Sequence, residues 1–240
     1  MSLSIYKSTY NRNMKINKFN KEYFKFLFPQ RTRLKTEYAL TLDSSQDQIN
    51  DALTTMMIKD YNMIKNYLPT KITNSLDIGC GLGLIDIALY NHYNGEVNIH
   101  LLDKTNVIDE NTSVRGFNKE YIFYNSMDST KDTLVSNGVK ENSIFTYEVT
   151  KNNIEQLNQN KYDLIISLLS CGWHYSLETY INLIKNTLTS DGVLILDIRH
   201  DTGQLDYAKE HFELLYTVVN TAESKHTGGT IGDRYIFKKK

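Results

Sequence analysis

The sequence predicts an α/β protein: a doubly wound, seven-stranded, mostly parallel sheet with an antiparallel last strand and an N-terminal helical extension. Three observations carry that expectation. Short apolar runs alternate with helical patterns from residue 75 onward, the mark of a parallel sheet covered by helices on both faces. Glycines at 79, 81 and 83 follow the first of these runs and directly precede a helical pattern. Two closing strand-like runs have no helix between them, so the last strand runs antiparallel.

Residues 1–45 have no clean period, although 19–28 suits a short helix stopped by Pro29. Over 46–68, the residues Ile49, Leu53, Met56, Met57, Ile64 and Leu68 fall on one helical face, with Pro69 as the stop. The first strand is expected at 75–78 and its helix at 84–92. The second strand, 97–102, ends at Asp103, and a long connection then runs from 104 to 125. A helix over 126–136 leads through Asn137-Gly138 to a third strand at 143–149, and a fourth lies at 162–169. Ser176 reads as an N-cap, with Leu177, Tyr180, Ile181, Ile184 and Leu188 on one face behind it. Asp191-Gly192 reads as a turn before the fifth strand, 193–198. A short helix at 204–211 precedes strands at 212–219 and 234–238, with Thr227-Gly228-Gly229 marking their connection.

A chain of 240 residues, 40% hydrophobic and 23% charged, has room for a full core without disulfides or metals as staples. Its two cysteines, Cys80 and Cys171, suggest no disulfide framework, and a reduced, cytoplasmic setting is expected. The N-terminus lacks the continuous apolar core of a secretory signal, and no apolar run approaches the ~20 residues of a membrane helix. Charge is uneven. Residues 1–36 carry nine Lys/Arg and one acid, while the rest carries 18 basic and 27 acidic groups. This basic arm is interleaved with aromatics. It suits either an anionic partner or a lysine-rich cap whose rings pack on the domain, and the cap is the preferred reading. Domain organisation follows: a basic, aromatic arm or lid at 1–45, and the α/β domain at 46–240.

Gly79-x-Gly81-x-Gly83 makes a tight turn that lets a ligand approach the main chain, beside the free N–H groups of a helix start. Two cofactor classes compete for it. A nicotinamide site wants G-x-G-x-x-G, and Leu84 stands where its third glycine belongs. Asp103, 20 residues after Gly83, suits a ribose in either class.

The run Leu76-Asp77-Ile78-Gly79-Cys80-Gly81-Leu82-Gly83 resembles the first motif of class I S-adenosylmethionine-dependent methyltransferases, and Asp103 matches the ribose-binding acid of that family. In order of elements the resemblance runs from about residue 46 to the last strand, including the helix upstream and the closing antiparallel pair. It implies the Rossmann-like methyltransferase fold and S-adenosylmethionine as cofactor. By position it implies that Gly79, Cys80, Gly81 and Gly83 pass beneath the cofactor, that Asp77 helps hold its ammonium, and that Asp103 grips its ribose. Val149 and Thr150 would flank the adenine, and Ser170 would complete the cofactor set. Many relatives carry Asp where this sequence has Thr150, so Glu148 or a backbone contact would replace it.

The acceptor site of an open α/β sheet lies beyond the carboxyl ends of its strands. After the fourth strand come Ser170-Cys171-Gly172-Trp173-His174-Tyr175, where Trp173 and Tyr175 would wall a pocket and His174 would act as general base. After the fifth come Arg199-His200-Asp201. There Arg199 suits a carboxylate or phosphate and His200 suits acid–base work, or the group is a surface Arg–Asp network. No metal is expected, because no tight His/Asp/Glu ligand spacing appears. The segment after the fourth strand lacks the D/N-P-P-Y/F/W motif of amino-methylating DNA enzymes, and neither cysteine follows a proline as in cytosine-C5 enzymes, which argues against DNA. The segments 123–126 and 170–175 are similar to those of bacterial methyltransferases associated with surface-glycan or small-molecule modification. The expected acceptor is therefore a small molecule or sugar, an anionic one included, methylated on a hydroxyl. RNA methylation through the basic arm and a non-catalytic cofactor-binding module are the alternatives.

Overall fold

The computed structural model describes residues 14–28, 32–104, 126–149, 154–219 and 232–240. The elements run α1 (Lys21–Leu27), α2 (Thr32–Thr36), α3 (Gln46–Ile64), β1 (Asn74–Ile78), α4 (Leu84–His92), β2 (Asn98–Asp103), α5 (Met127–Ser136), β3 (Ile144–Glu148), α6 (Ile154–Leu157), β4 (Tyr162–Ser167), α7 (Ile181–Thr187), β5 (Leu188–Arg199), α8 (Gln204–His211), β6 (Phe212–Val218) and β7 (Gly232–Lys239). They build one seven-stranded sheet in the order β3-β2-β1-β4-β5-β7-β6. The pairs from β3 to β5 are parallel, and β7 runs antiparallel to both β5 and β6. The expected doubly wound sheet with an antiparallel last strand is what forms. Strand order reverses between β1 and β4, which opens a crevice at their carboxyl ends.

Helix α3 starts on a capping box. The Ser45 hydroxyl accepts the Gln48 N–H at 3.2 Å, and the Gln48 side chain accepts the Ser45 N–H at 2.8 Å. Ile49, Leu53, Met57, Tyr61 and Ile64 form its buried face. It stops at Ile64, four residues short of the expected end. Pro69 has no N–H for the Lys65 carbonyl, and its ring would collide with that carbonyl in a continued helix. Strand β4 is likewise two residues shorter than expected, because Leu169 turns away at φ 54°. The turn expected at 191–192 is instead an irregularity inside β5. Pairing with β4 jumps from Tyr162↔Leu188 to Leu164↔Val193, so 189–192 bulge while the chain keeps its direction. Of the expected connection 104–125 only Lys104 is described, and Thr150 and the 227–229 turn lie outside the described residues.

Two apolar layers cover the sheet. One holds Leu157, Leu177, Ile184 and Ala208, from the side of α6, α7 and α8. The other joins α3, α4 and α5 with Met14, Ile16, Phe19, Tyr23, Phe24, Phe28, Leu34 and Leu40. These N-terminal side chains thus pack into the same core as the helices behind the sheet. Asn137 fastens them: its side-chain oxygen accepts the N–H groups of Asn17 and Lys18 at 2.7 and 3.2 Å, and its amide donates to the Lys18 carbonyl at 2.8 Å. Arg234 of β7 is 1% exposed and clamps α3 onto this face. Its guanidinium donates to both Asp197 oxygens at 2.7 and 2.9 Å and to Asp60 of α3 at 3.1 Å. Among the described residues no helix is long and apolar enough to cross a membrane.

Candidate cofactor and acceptor site

The crevice floor is the turn between β1 and α4. The N–H groups of Gly79 and Cys80 donate to the Leu102 carbonyl at 2.7 and 3.3 Å, stitching the turn to the end of β2. Gly79 and Gly83 have φ of 78° and 66°, the left-handed region that favours glycine. Their surroundings demand glycine as well. A Cβ on Gly79 would overlap the Ser170 side chain, and one on Gly83 would overlap Leu134 of α5. The Thr130 hydroxyl of α5 donates to the Gly81 carbonyl at 2.6 Å.

Three carboxyls surround this floor. Asp103 accepts the Gly81 N–H at 2.7 Å through one oxygen and the Lys104 N–H at 2.7 Å through the other. Asp77 and Asp86 are 3% and 0% exposed. Burial, then the neighbouring Asp86 and Asp103, hold Asp77 well above the usual carboxylate range. Burial also pushes Asp86 up to about 7. The Cys80 thiol is raised as well, by burial and then by these three acids, so it stays neutral.

The wall beyond β4 is a tightly bonded loop. The Ser167 hydroxyl donates to the Ile78 carbonyl at 2.7 Å and accepts the Cys171 N–H at 2.9 Å, joining the ends of β1 and β4. Leu169 is held in its left-handed conformation by donating its N–H to Asp197 at 3.2 Å. That places the Ser170 hydroxyl over Gly79 and 2.9 Å from the Tyr175 hydroxyl. Burial raises the Tyr175 phenol well above its usual value, so it too stays neutral. Cys171 is fully buried, and burial raises its thiol. A buried, protonated thiol of this kind is a core residue and not a nucleophile.

The expected acceptor residues divide in two. His174 is partly exposed, its N–H donating to the Ser170 carbonyl at 2.8 Å. Trp173 is 4% exposed and lies where a Cβ on Gly232 would sit, so its ring fills the space between this loop and β7. Arg199 makes a two-point ion pair with Asp201 at 3.0 and 2.7 Å. His200 has a half-exposed side chain with Nε2 2.9 Å from Asp233 Oδ2, and Asp233 is nearly buried. The Arg199 N–H donates to the Gly172 carbonyl at 3.2 Å, tying the two loops together. Val149 continues β3 by donating to the Asp103 carbonyl at 3.0 Å. Among the described residues, no group of three or more His, Cys, Asp or Glu could hold a metal ion.

Asp86 and Asp233 were not singled out from the sequence. An acid inside the apolar run Leu84–Tyr90 is a visible signal for Asp86. Asp233 gives none, because its partner is set by the register of β7 against β5, Ile198↔Asp233.

A seven-stranded sheet of this order, with the antiparallel β7 between β5 and β6, is the Rossmann-like methyltransferase fold. Among solved structures the chain is similar to StiE O-MT (12% identity, TM-score 0.55, covering 86% of this chain and 81% of that one). It is also similar to the ribosomal protein L11 methylase of Lactobacillus delbrueckii subsp. bulgaricus (16% identity, TM-score 0.50, covering 78% and 79%). At these identities the likeness is one of fold. No protein-family model matches the sequence, and no curated protein matches it.

Proposed function

We propose that the protein transfers a methyl group from S-adenosylmethionine to a hydroxyl of a small molecule or sugar. The residues of the crevice fit that cofactor. Asp103 at the end of β2 offers a carboxylate to vicinal hydroxyls. The Gly79–Gly83 floor leaves space that only glycine permits. Asp77 Oδ1 is buried with no hydrogen-bond donor of its own, the kind of group a ligand ammonium satisfies. When bound, the cofactor supplies a methyl already activated on a sulfonium.

The chain has three tasks. It aligns the acceptor oxygen with the methyl carbon, removes the hydroxyl proton, and keeps water out. The observation that carries the hydroxyl reading is the His200–Asp233 pair. A nearly buried carboxylate fixes one ring nitrogen and leaves the half-exposed imidazole free to take a proton with the other. With the cofactor bound, His200 would take the hydroxyl proton of the acceptor and pass it to solvent. Ser170 and Tyr175, bonded hydroxyl to hydroxyl beside Gly79, would close the cofactor side.

The RNA reading is weakened by the packing of the N-terminal segment. Lys15, Lys18, Lys25 and Lys35 are exposed, but Phe19, Tyr23, Phe24 and Phe28 are core residues and so give bases nothing to stack on.

Calorimetric titration separates the cofactor classes: S-adenosylhomocysteine binds and NAD does not, whereas NAD binding alone overturns the proposal. Once an acceptor is found by screening sugars and small phosphates, His200→Gln lowers kcat by roughly 10²–10⁴-fold and leaves S-adenosylhomocysteine affinity unchanged. A comparable loss in His174→Gln with His200→Gln unaffected moves the base to His174.

A further inference from the structure

Asp77 and Asp86 present an unusual arrangement beneath the candidate cofactor turn. Asp77 is in β1, two residues before Gly79, and Asp86 is the third residue of α4. Both are buried, and each carboxyl acts on the other as a close acidic neighbour. Two neighbouring carboxyls this deeply buried do not both ionise, so the free pair keeps one proton. Asp77 Oδ1 and both Asp86 oxygens have no partner among ordinary donors. The groups facing the pair add no compensating charge. Asp103 at the end of β2 is a third acid acting on Asp77, and the neighbouring Cys80 is neutral. Among the described residues no Lys, Arg or His acts on either carboxyl. The pair is thus a buried proton store with an anion-forming side and no cation of its own.

We propose that the Asp77–Asp86 pair is a proton-exchange site in which the ammonium of the bound cofactor replaces the shared proton, so that cofactor binding releases a proton to solvent. The inference rests on the cofactor reading above and adds to it a role for Asp86. Asp86 is a positioning residue that keeps Asp77 folded inward and neutral until a cation arrives. The sign follows from linkage. The free protein holds the proton more tightly than the complex does, so binding releases it, and affinity rises with pH while the pair remains protonated in the free protein. Burial raises both carboxyls, Asp77 well above the usual carboxylate range and Asp86 to about 7, so the free pair holds its proton into the neutral range. At its limit a one-proton linkage changes affinity about tenfold per pH unit.

The test is calorimetry of the intact protein with S-adenosylhomocysteine in buffers of different ionisation enthalpy, between pH 6 and 8. The expected result is a net release approaching ~1 proton per site and tighter binding at higher pH. 5′-Methylthioadenosine, which lacks the ammonium, binds without that release. Asp86→Asn, whose amide donates to Asp77 without a titrating proton, still binds S-adenosylhomocysteine but with the release lost and the pH dependence flattened. Binding by the wild type with no proton release overturns the inference, as does equal release with 5′-methylthioadenosine or in Asp86→Asn. Absence of any S-adenosylhomocysteine binding overturns the cofactor reading itself, and the inference with it. The wild-type measurement decides the question even if the variant fails to fold.

Discussion

Arg234→Ala will destabilise the protein by about 3–5 kcal/mol, the usual cost of removing one partner of a buried ion pair. The guanidinium is almost fully buried and its charge has two outlets, the Asp197 carboxylate and Asp60 of α3. Asp197 itself is fully buried. Burial pushes its carboxyl up, and the Arg234 charge opposes that push. Without the arginine the upward push of burial is opposed only by the Leu169 N–H, and at neutral pH the carboxylate is left ionised with no counter-charge. The deficit should therefore be largest at neutral and higher pH. It should shrink as pH falls, because an unpaired Asp197 can then take a proton. Urea unfolding of wild type and variant at two pH values checks both statements. A deficit that grows on acidification would show that Asp197 is not the group left unpaired. The same carboxylate holds the Leu169 N–H, so the variant should also weaken ligand binding through the loop that carries Ser170.

Gly79→Ala should cost about 2–5 kcal/mol, from two sources. A side chain at φ 78° is strained, and its Cβ falls inside the Ser170 side chain. Relief requires either the turn or the Ser170 loop to move, and both walls belong to the candidate cofactor crevice. Affinity for S-adenosylhomocysteine should fall at least ~10-fold, about 1.4 kcal/mol. Adding Ser170→Gly to Gly79→Ala should recover the overlap but not the backbone strain, giving partial rescue in a double-variant cycle. No rescue at all would place the damage in the backbone alone.

The parts of the fold legible in the sequence are those specified locally. Alternating apolar runs and helical stripes marked all seven strands, and residues 76–83 marked the crevice, because a glycine turn between strand and helix is written in consecutive residues. Asp191-Gly192 misled for the same reason. The dipeptide signals a turn in isolation, yet the pairing of β4 with β5 carries the chain straight through it as a bulge. Long-range pairings were not legible. His200 meets Asp233, 33 positions away, only through the antiparallel register of β7. Arg234 joins residues of α3 and β5 that share no sequence pattern. The aromatics of residues 19–28 could be weighed as cap or as contact surface from composition, but only packing against α3 and α5 distinguishes the two.

The position of β7 between β5 and β6 also orders events during synthesis. Domains made on the ribosome fold from their N-terminal end, yet this sheet joins its two halves with a strand translated after both. Until residues 232–239 emerge, β6 has no neighbour to satisfy its backbone groups, and Asp197 has no guanidinium. A chain interrupted after Val218 and before Arg234 therefore exposes an unpaired strand and carries an uncompensated carboxylate. Emergence of residues 232–239, more than the making of the glycine turn, marks the moment at which the crevice becomes rigid.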